Sequence, residues 1–415
     1  MYFSDVSKAI LSKALREGAS SKRIDVVFDV YRKKSIKNAE RVKRGAVGSI
    51  SFKAIEPGHK IRQWRNFLHN PDNKTQLIEF LASDWSGDEQ RKRMKGKELF
   101  VAVGETCKKL TEAAVIDVDS LRSTQEEADT RLLLHAVHCA NAGSSAVVIV
   151  SEDTDVFILC VAFSGYVACP LYLKSGSHTR VQYVDIKKVA QKFGNDKCKA
   201  LLGLHAFSGC DTVSAFAGRG KLSSLKLLGR NEHRETLTQL GTNWQMSDEL
   251  FGRLESFACC IYSTRTTTES VDELRFSIFC AKKGEVESWQ LPPCSSSLKN
   301  HCRRANYQCA IWKRSLDASP DVPDPVGNGW SLEQDSLVID WGDGLPAPEA
   351  VMEMLACLCA RACVEETCIC IQNKMKCTYL CKLVTCANQI PDEDEDEGLT
   401  DLVSEDDSDV DSDED

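Results

Sequence analysis

Ala146-Val147-Val148-Ile149-Val150-Ser151-Glu152-Asp153-Thr154-Asp155 is the stretch that decides the fold of this chain. Its apolar, β-branched first half reads as a short buried strand. Asp153 and Asp155 alternate on the turn that leaves the strand, so both can point toward one ligand. In open α/β sheets that edge is where ligands bind. Carboxylates gathered there repel one another until a cation neutralises them, and an oxygen-only shell suits Mg2+ or Mn2+.

The pattern continues outward in both directions. Upstream, Glu127 and Asp129 stand two apart near the start of a helix expected over 123–140, where the backbone dipole tolerates negative charge. Further upstream, Ile24-Asp25-Val26-Val27-Phe28-Asp29 reads as a strand ending in a carboxylate, and downstream Ser208-Gly209-Cys210-Asp211 places another on a tight turn. An amphipathic helix is expected over 5–17, a helix opened by Asn70-Pro71-Asp72, and strands over 99–103, 171–173 and 181–184. Helices are expected over 186–192 and 197–206, with 212–290 largely helical. Strands alternating with helices argue for an α/β fold with a mostly parallel sheet flanked by helices. Six carboxylates from separated segments, Asp29, Glu127, Asp129, Asp153, Asp155 and Asp211, can hold two cations about 3.5–4 Å apart, as in-line phosphoryl displacement uses them. Asp-x-Asp after a strand also occurs in phosphatases and glycosyltransferases, and acids at strand ends also serve as helix caps.

Composition bounds the rest. The chain has 415 residues, 42% of them hydrophobic, which is room for a sizeable core. No run of about 18 apolar residues suggests a membrane span. No signal peptide opens the sequence, so the 20 cysteines are expected in a reducing compartment, where clustered thiols point to metal. The net charge of -9 hides two parts: residues 392–415 carry fifteen Asp or Glu and no Lys or Arg, leaving 52 basic residues against 46 acidic ones. A mildly basic body of +6 with an acidic tail fits a polyanion partner such as DNA, the tail binding intramolecularly or to basic proteins. Ser404, Ser408 and Ser412 sit among its acids, a context for phosphorylation.

The acidic segments taken in order resemble the flap-endonuclease branch of PIN-like 5′ nucleases. The matching elements are Val27-Phe28-Asp29, Glu127-Ala128-Asp129, Glu152-Asp153-Thr154-Asp155 and Gly209-Cys210-Asp211, the last followed by Ala217-Gly218-Arg219-Gly220-Lys221, which resembles the hairpin of a helix-hairpin-helix. The resemblance covers roughly residues 20–290. It implies a PIN-like fold, Mg2+ or Mn2+ at the six carboxylates, and DNA phosphate contacts from Gly218, Arg219, Gly220 and Lys221. It also implies that Lys37 and Arg41, four apart on one helix face, engage the scissile phosphate as catalytic residues. Members of that branch carry a further aspartate on a first central strand, and the chain is expected to start after it. The basic cluster Arg91–Lys97 is expected as a solvated loop, an arch over substrate or a nuclear import signal.

Near the C-terminus the character changes. Cys357, Cys359, Cys363, Cys368, Cys370, Cys377, Cys381 and Cys386 place eight thiols within thirty residues, a density that suits tetrahedral Zn2+. The spacing resembles tesmin-type CXC domains, which bind DNA and hold three zincs with nine cysteines through shared thiolates. Leu383 stands where a ninth is expected. Two zincs with four thiolates each, or a reduced three-zinc cluster, both fit. The remaining cysteines, and the helix residues His135, His138 and Cys139, are expected to pack rather than bind metal, and His205 to pack or cap.

The organisation expected from sequence is therefore a nuclease-like domain over 1–290, an irregular bridging segment over 291–350, a cysteine-rich zinc module over 351–390 and a disordered acidic tail over 391–415. The expected protein is nuclear. It is either a divergent two-metal nuclease acting on DNA or a non-catalytic, zinc-dependent DNA-binding protein derived from a mobile element.

Overall fold

The computed structural model describes residues 2–32, 34–43, 52, 54–176, 180–282, 287–334 and 336–342, and within the cysteine module 357–372, 377, 381–383 and 386–388. The acidic tail lies outside the described residues, as does the side chain of Arg41. The chain divides into two compact units, Met1–Gly342 and Asp343–Asp415.

Helix α1 (Phe3–Glu17) leads into β1 (Arg23–Val27), and α2 (Ile36–Lys43), α3 (Trp64–His69), α4 (Pro71–Ser86) and α5 (Asp88–Arg91) follow. A meander then forms from β2 (Glu98–Val103), β3 (Thr106–Leu110) and β4 (Val115–Asp117). Strand β1 pairs in parallel with β2, Ile24 opposite Leu99, and the rest of this sheet is antiparallel. Its inner face packs on α1, α3 and α4 through Phe3, Leu11, Phe67, Leu81, Trp85 and Leu99, all buried. Burying each such side chain contributes about 1.5–3 kcal/mol. Asn70 starts α4 as expected, its side chain accepting from Asp72 N with Pro71 in the first turn. The Arg91–Lys97 cluster is a fastening rather than a solvated loop. Lys97 Nζ donates to the carbonyls of Gly18, Ala19 and Ser21 at 2.9, 2.7 and 2.7 Å, and Arg93 reaches Gln90 and Ser12.

The second sheet follows α6 (Ala128–Asn141): β5 (Val147–Val150), α7 (Thr154–Phe163), β6 (Leu171–Ser175) and β7 (Gln182–Asp185). Here β5 and β6 are parallel and β6 and β7 antiparallel. The mostly parallel sheet expected from sequence is thus replaced by small sheets, two of the six strand pairings among the described residues being parallel. Strands β1 and β5 each form an edge. The apolar run Val156–Ala162 belongs to helix α7, which Asp153 opens by accepting from Asp155 N.

Helix α6 joins the two sheets. On β1, Asp25 accepts from Arg23 at 2.8 Å and lies 2.7 Å from His135 Nδ1, while His138 bridges Arg23 and Ser120. The side chains of Arg23 and His135 overcome burial and hold the Asp25 carboxyl below its ordinary value. The two histidines therefore pack and pair, as expected. Arg131 of α6 clasps the carbonyls of Gly104, Thr106 and Leu121.

A helical layer completes the unit: α8 (Ile186–Phe193), α9 (Asn195–Ser208), α10 (Lys221–Leu227), α11 (Asn231–Gln239), α12 (Asp248–Tyr262), α13 (Val271–Ala281) and α14 (Ser295–Lys313). Helices α9, α12 and α14 share the large core with α6, α7, β5 and β6, around Leu201, Phe207, Leu254, Phe257 and Trp312. The stretch expected to be irregular therefore holds a nineteen-residue buried helix and a hairpin of β8 (Trp330–Glu333) and β9 (Ser336–Ile339). Ile36, Tyr307 and Trp330 pack together there. No described helix is long and apolar enough to cross a membrane.

Candidate functional site

Two places concentrate ligand-type side chains, and the first lies where β1, α6 and α7 meet. Asp29 leaves β1 two residues past its end, and its Oδ1 accepts from Ala128 N at 2.9 Å. It thereby caps α6, whose own N-cap residue, Glu127, makes no side-chain cap. Residues 123–127, expected as helix, are extended instead: Thr124 N donates to Ala318 O, Val30 N to Glu126 O, and Gln125 Nε2 to the carbonyls of Ser315 and Asp317. That run holds Glu127 and Asp129 at a helix start beside Asp29. Asp153 caps α7 and is exposed, whereas Asp155 within the first turn is buried.

Lys37, near the start of α2, enters this group. Its Nζ lies 3.3 Å from Asp129 Oδ2 and 3.7 Å from Glu127 Oε1. Ser35 sets up the helix by accepting from Asn38 N. Burial opposes the lysine's charge, but Glu127, Asp129 and Asp29 outweigh it and push its pKa up. The carboxylates remain crowded even so. Burial, and then the charges of Glu127, Asp153 and Asp29, push the Asp129 carboxyl up to about 7 against the pull of Lys37. Burial first, with Glu126 and Asp155 behind it, raises Glu127 as well. Asp29, Glu127, Asp129, Asp153 and Asp155 thus crowd together beside Lys37. Asp211 is exposed on the turn after α9. Its neighbour Cys210 is close enough that Asp155 and Glu127 add to burial in raising the thiol to about 11.

The supports of this group come from far along the chain. Trp312 Nε1 donates to Glu127 Oε2 at 3.3 Å, and Gln308 Nε2 to Glu127 Oε1 at 3.4 Å. Thr212 in turn donates to Gln308 Oε1 at 2.7 Å. The indole of Trp312 stacks on His205, ring centroids 5.4 Å apart at 20°. His205 is buried, with Nε2 2.7 Å from Asp155 Oδ1 and Nδ1 2.9 Å from Lys221 Nζ. An ammonium only donates and a carboxylate only accepts, so these partners fix the proton of a neutral ring on Nε2. Sequence reading treats His205 as packing and misses Gln308 and Trp312. The spacing of acids carries no sign of them.

The hairpin residues are placed as follows. Gly218 has φ +66° and lies under the Trp289 ring, Arg219 lies 4.9 Å from the Tyr262 ring centroid, and Lys221 turns inward to His205. Both basic side chains are thus engaged within the fold.

The second place is the cysteine module. The only regular element described there is α15 (Ile369–Gln372). Six thiols draw together: Cys357, Cys363, Cys368, Cys370, Cys377 and Cys381. Sulfur separations are 3.7 Å for Cys357–Cys363 and Cys363–Cys377, 3.8 Å for Cys370–Cys381, 3.9 Å for Cys368–Cys377 and 4.0 Å for Cys357–Cys377. A disulfide is about 2.0 Å. Tetrahedral zinc with bonds of about 2.3 Å sets its sulfurs about 3.8 Å apart, so the thiols fit zinc. The Ile371 amide also holds the Cys368 thiol below its ordinary value. Among the described residues, only cysteine groups bring ligand atoms within common reach of one ion. The carboxylate oxygens are more widely spread.

The chain matches no protein-family model, and no curated protein or solved structure is significantly similar to it.

Proposed function

We propose that residues 1–342 form a divergent, PIN-like nuclease site that hydrolyses DNA phosphodiesters with divalent metal, and that the cysteine module is a zinc-dependent DNA-binding element. The observation that carries the first half is the crowding of Asp29, Glu127, Asp129, Asp153 and Asp155 around Lys37, which leaves Asp129 pushed up to about 7. Crowded carboxylates at the starts of two helices are a donor set for a hard cation. Bound there, such a cation supplies an activated water and stabilises the leaving oxygen. The chain's own residues supply the rest. Asp29 and Asp153 each keep one oxygen on a helix amide, while Trp312, Gln308 and His205 fix Glu127 and Asp155. Lys37 exchanges its carboxylate partners for a phosphate of the substrate.

A second reading has its own support. Lys37 already neutralises part of the cluster, and Lys221 is turned into the fold. Both favour a non-catalytic protein whose zinc module binds DNA, with the larger unit as scaffold. Cleavage of a labelled 5′-flap DNA in Mg2+ or Mn2+, beside Asp153→Ala, separates them. Metal-dependent cutting lost in the variant is the expected result. No cutting by the wild type, with DNA binding retained, overturns the nuclease and leaves the second reading.

A further inference from the structure

The two groups of cysteines able to hold an ion are not separate sites. One comprises Cys357, Cys370, Cys377 and Cys381, the other Cys357, Cys363, Cys368 and Cys377. They share two residues, Cys357 and Cys377, whose sulfurs are 4.0 Å apart, close to one edge of a zinc tetrahedron. If each tetrahedron takes its four nearest thiols, that common edge belongs to both.

We infer that the module holds a binuclear cluster, two zincs bound by six cysteines, with the thiolates of Cys357 and Cys377 bridging the ions. This departs from both sequence-based expectations, two independent four-thiolate sites and a three-zinc cluster. It stands apart from the nuclease reading and does not depend on it.

Three features of the structure bear on this. Cys370 and Cys381 lie 3.8 Å apart, and Cys363 and Cys368 each lie within 3.9 Å of the shared Cys377, so each ion has its own pair beyond the bridge. Cys359 touches Cys357, Cys363 and Cys368, and Cys386 touches Cys363 and Cys377, yet neither belongs to a group whose four sulfurs share one ion, and the described residues form no third group. Cys377 also has backbone and side-chain support that suits a bridging atom: its amide donates to Asn388 O at 3.0 Å, and Asn388 Nδ2 donates to its sulfur at 3.3 Å. The Lys382 amide fixes Cys357 by donating to its carbonyl at 3.1 Å. On loading, six thiols lose six protons to solvent as their thiolates bind two Zn2+, and the cluster carries two negative charges. An N–H donor to a bridging sulfur partly offsets them.

The test uses the full chain purified with zinc. Elemental analysis should give two zincs per protein and no iron, which excludes the iron–sulfur chemistry that tetrahedral thiolates also support. Cadmium NMR of the substituted protein should show two resonances coupled to each other, because scalar coupling between metals passes only through a shared ligand. Cys370→Ser should remove one ion and Cys357→Ser should disturb both, whereas Cys359→Ser and Cys386→Ser should keep two. A ratio of none, one or three, iron in place of zinc, or two uncoupled cadmium resonances overturns the inference. So does loss of an ion from Cys359→Ser or Cys386→Ser. The spectrum of the unmutated protein decides even if a serine variant fails to fold.

Discussion

The carboxylate site and the cysteine module both crowd ionisable ligands, yet they are held in opposite ways. At the first, every acid has a partner within the fold: Asp29 and Asp153 cap helices, Glu127 takes Trp312 and Gln308, Asp155 takes His205, and Lys37 stands among them. At the second, the buried core consists of cysteines, and the described regular structure is one four-residue helix. A frame built from helix ends and long helices persists without an ion. A frame built from thiols needs one, because the apolar surface available to replace it is small.

The largest expected effect tests that contrast directly. Stripping metal with a chelator should unfold the cysteine module, since structural zinc contributes on the order of 10 kcal/mol or more to folding small domains of this kind. The unit over 1–342 should keep its melting temperature. Calorimetry of the full chain, with and without chelator, reads both. A shift of the main transition on chelation would break the comparison.

Next comes Lys37→Met. Removing one partner of a buried ion pair leaves uncompensated charge and costs about 3–5 kcal/mol. Urea unfolding should show that loss. If the carboxylates accept a divalent cation, Mn2+ should restore much of it in the variant and add little to the wild type. A variant as stable as the wild type would mean that Lys37 is not the counter-ion its distances indicate.

How much of this was legible in the sequence differs between the two regions for the same physical reason. Strand-to-helix turns are local, so Asp29, Glu127, Asp129, Asp153 and Asp155 could be placed from their own neighbours. Eight thiols within thirty residues are local as well. Helix α14 was hidden because polar residues, Asn300, His301, Arg304, Asn306 and Gln308, are buried between its apolar ones. Their burial is tolerated only through partners elsewhere in the fold. Asn306 binds Gly241, Asn243 and Trp244, Arg304 the carbonyls of Gly329 and Asp340, and His301 that of Phe207. The apolar stripe Leu298, Cys302, Ala305, Cys309 and Trp312 recurs every three or four residues and is diluted by these polar neighbours, and no short window of sequence contains both Glu127 and Trp312. The mixed sheets were likewise beyond reach, because pairing direction is settled by which strands meet.

The pH dependence sharpens the comparison further. Asp129 is pushed from 3.8 to about 7, so in this range the folded protein binds more protons than the unfolded chain. The linkage sign is then negative: the contribution of Asp129 is greatest below pH 4 and falls as pH rises toward 7. About three pKa units correspond to at most about 4 kcal/mol, shared with the other acids of the cluster. Asp129→Asn should flatten the profile measured by urea midpoint between pH 5 and 8. A wild-type profile that rises over that range would show the crowding to be relieved in solution.

The smallest effect concerns His205, and it bears on how the two halves of the site are joined. Its ring touches Asp155 on one side, Lys221 on the other and Trp312 across its face. His205→Gln can keep one of the two hydrogen bonds but loses the stack on Trp312, which in turn orients the donor to Glu127. A neutral hydrogen bond and a stacked pair each contribute on the order of 1 kcal/mol, so a loss of about 1–2 kcal/mol is expected. His205→Ala should cost more, since Asp155 then keeps its charge without that donor. If the Gln and Ala variants lose the same amount, the stack rather than the hydrogen bond carries the contribution. If neither loses stability, Asp155 is held by its helix alone, and the carboxylate frame is simpler than the contacts of His205 imply.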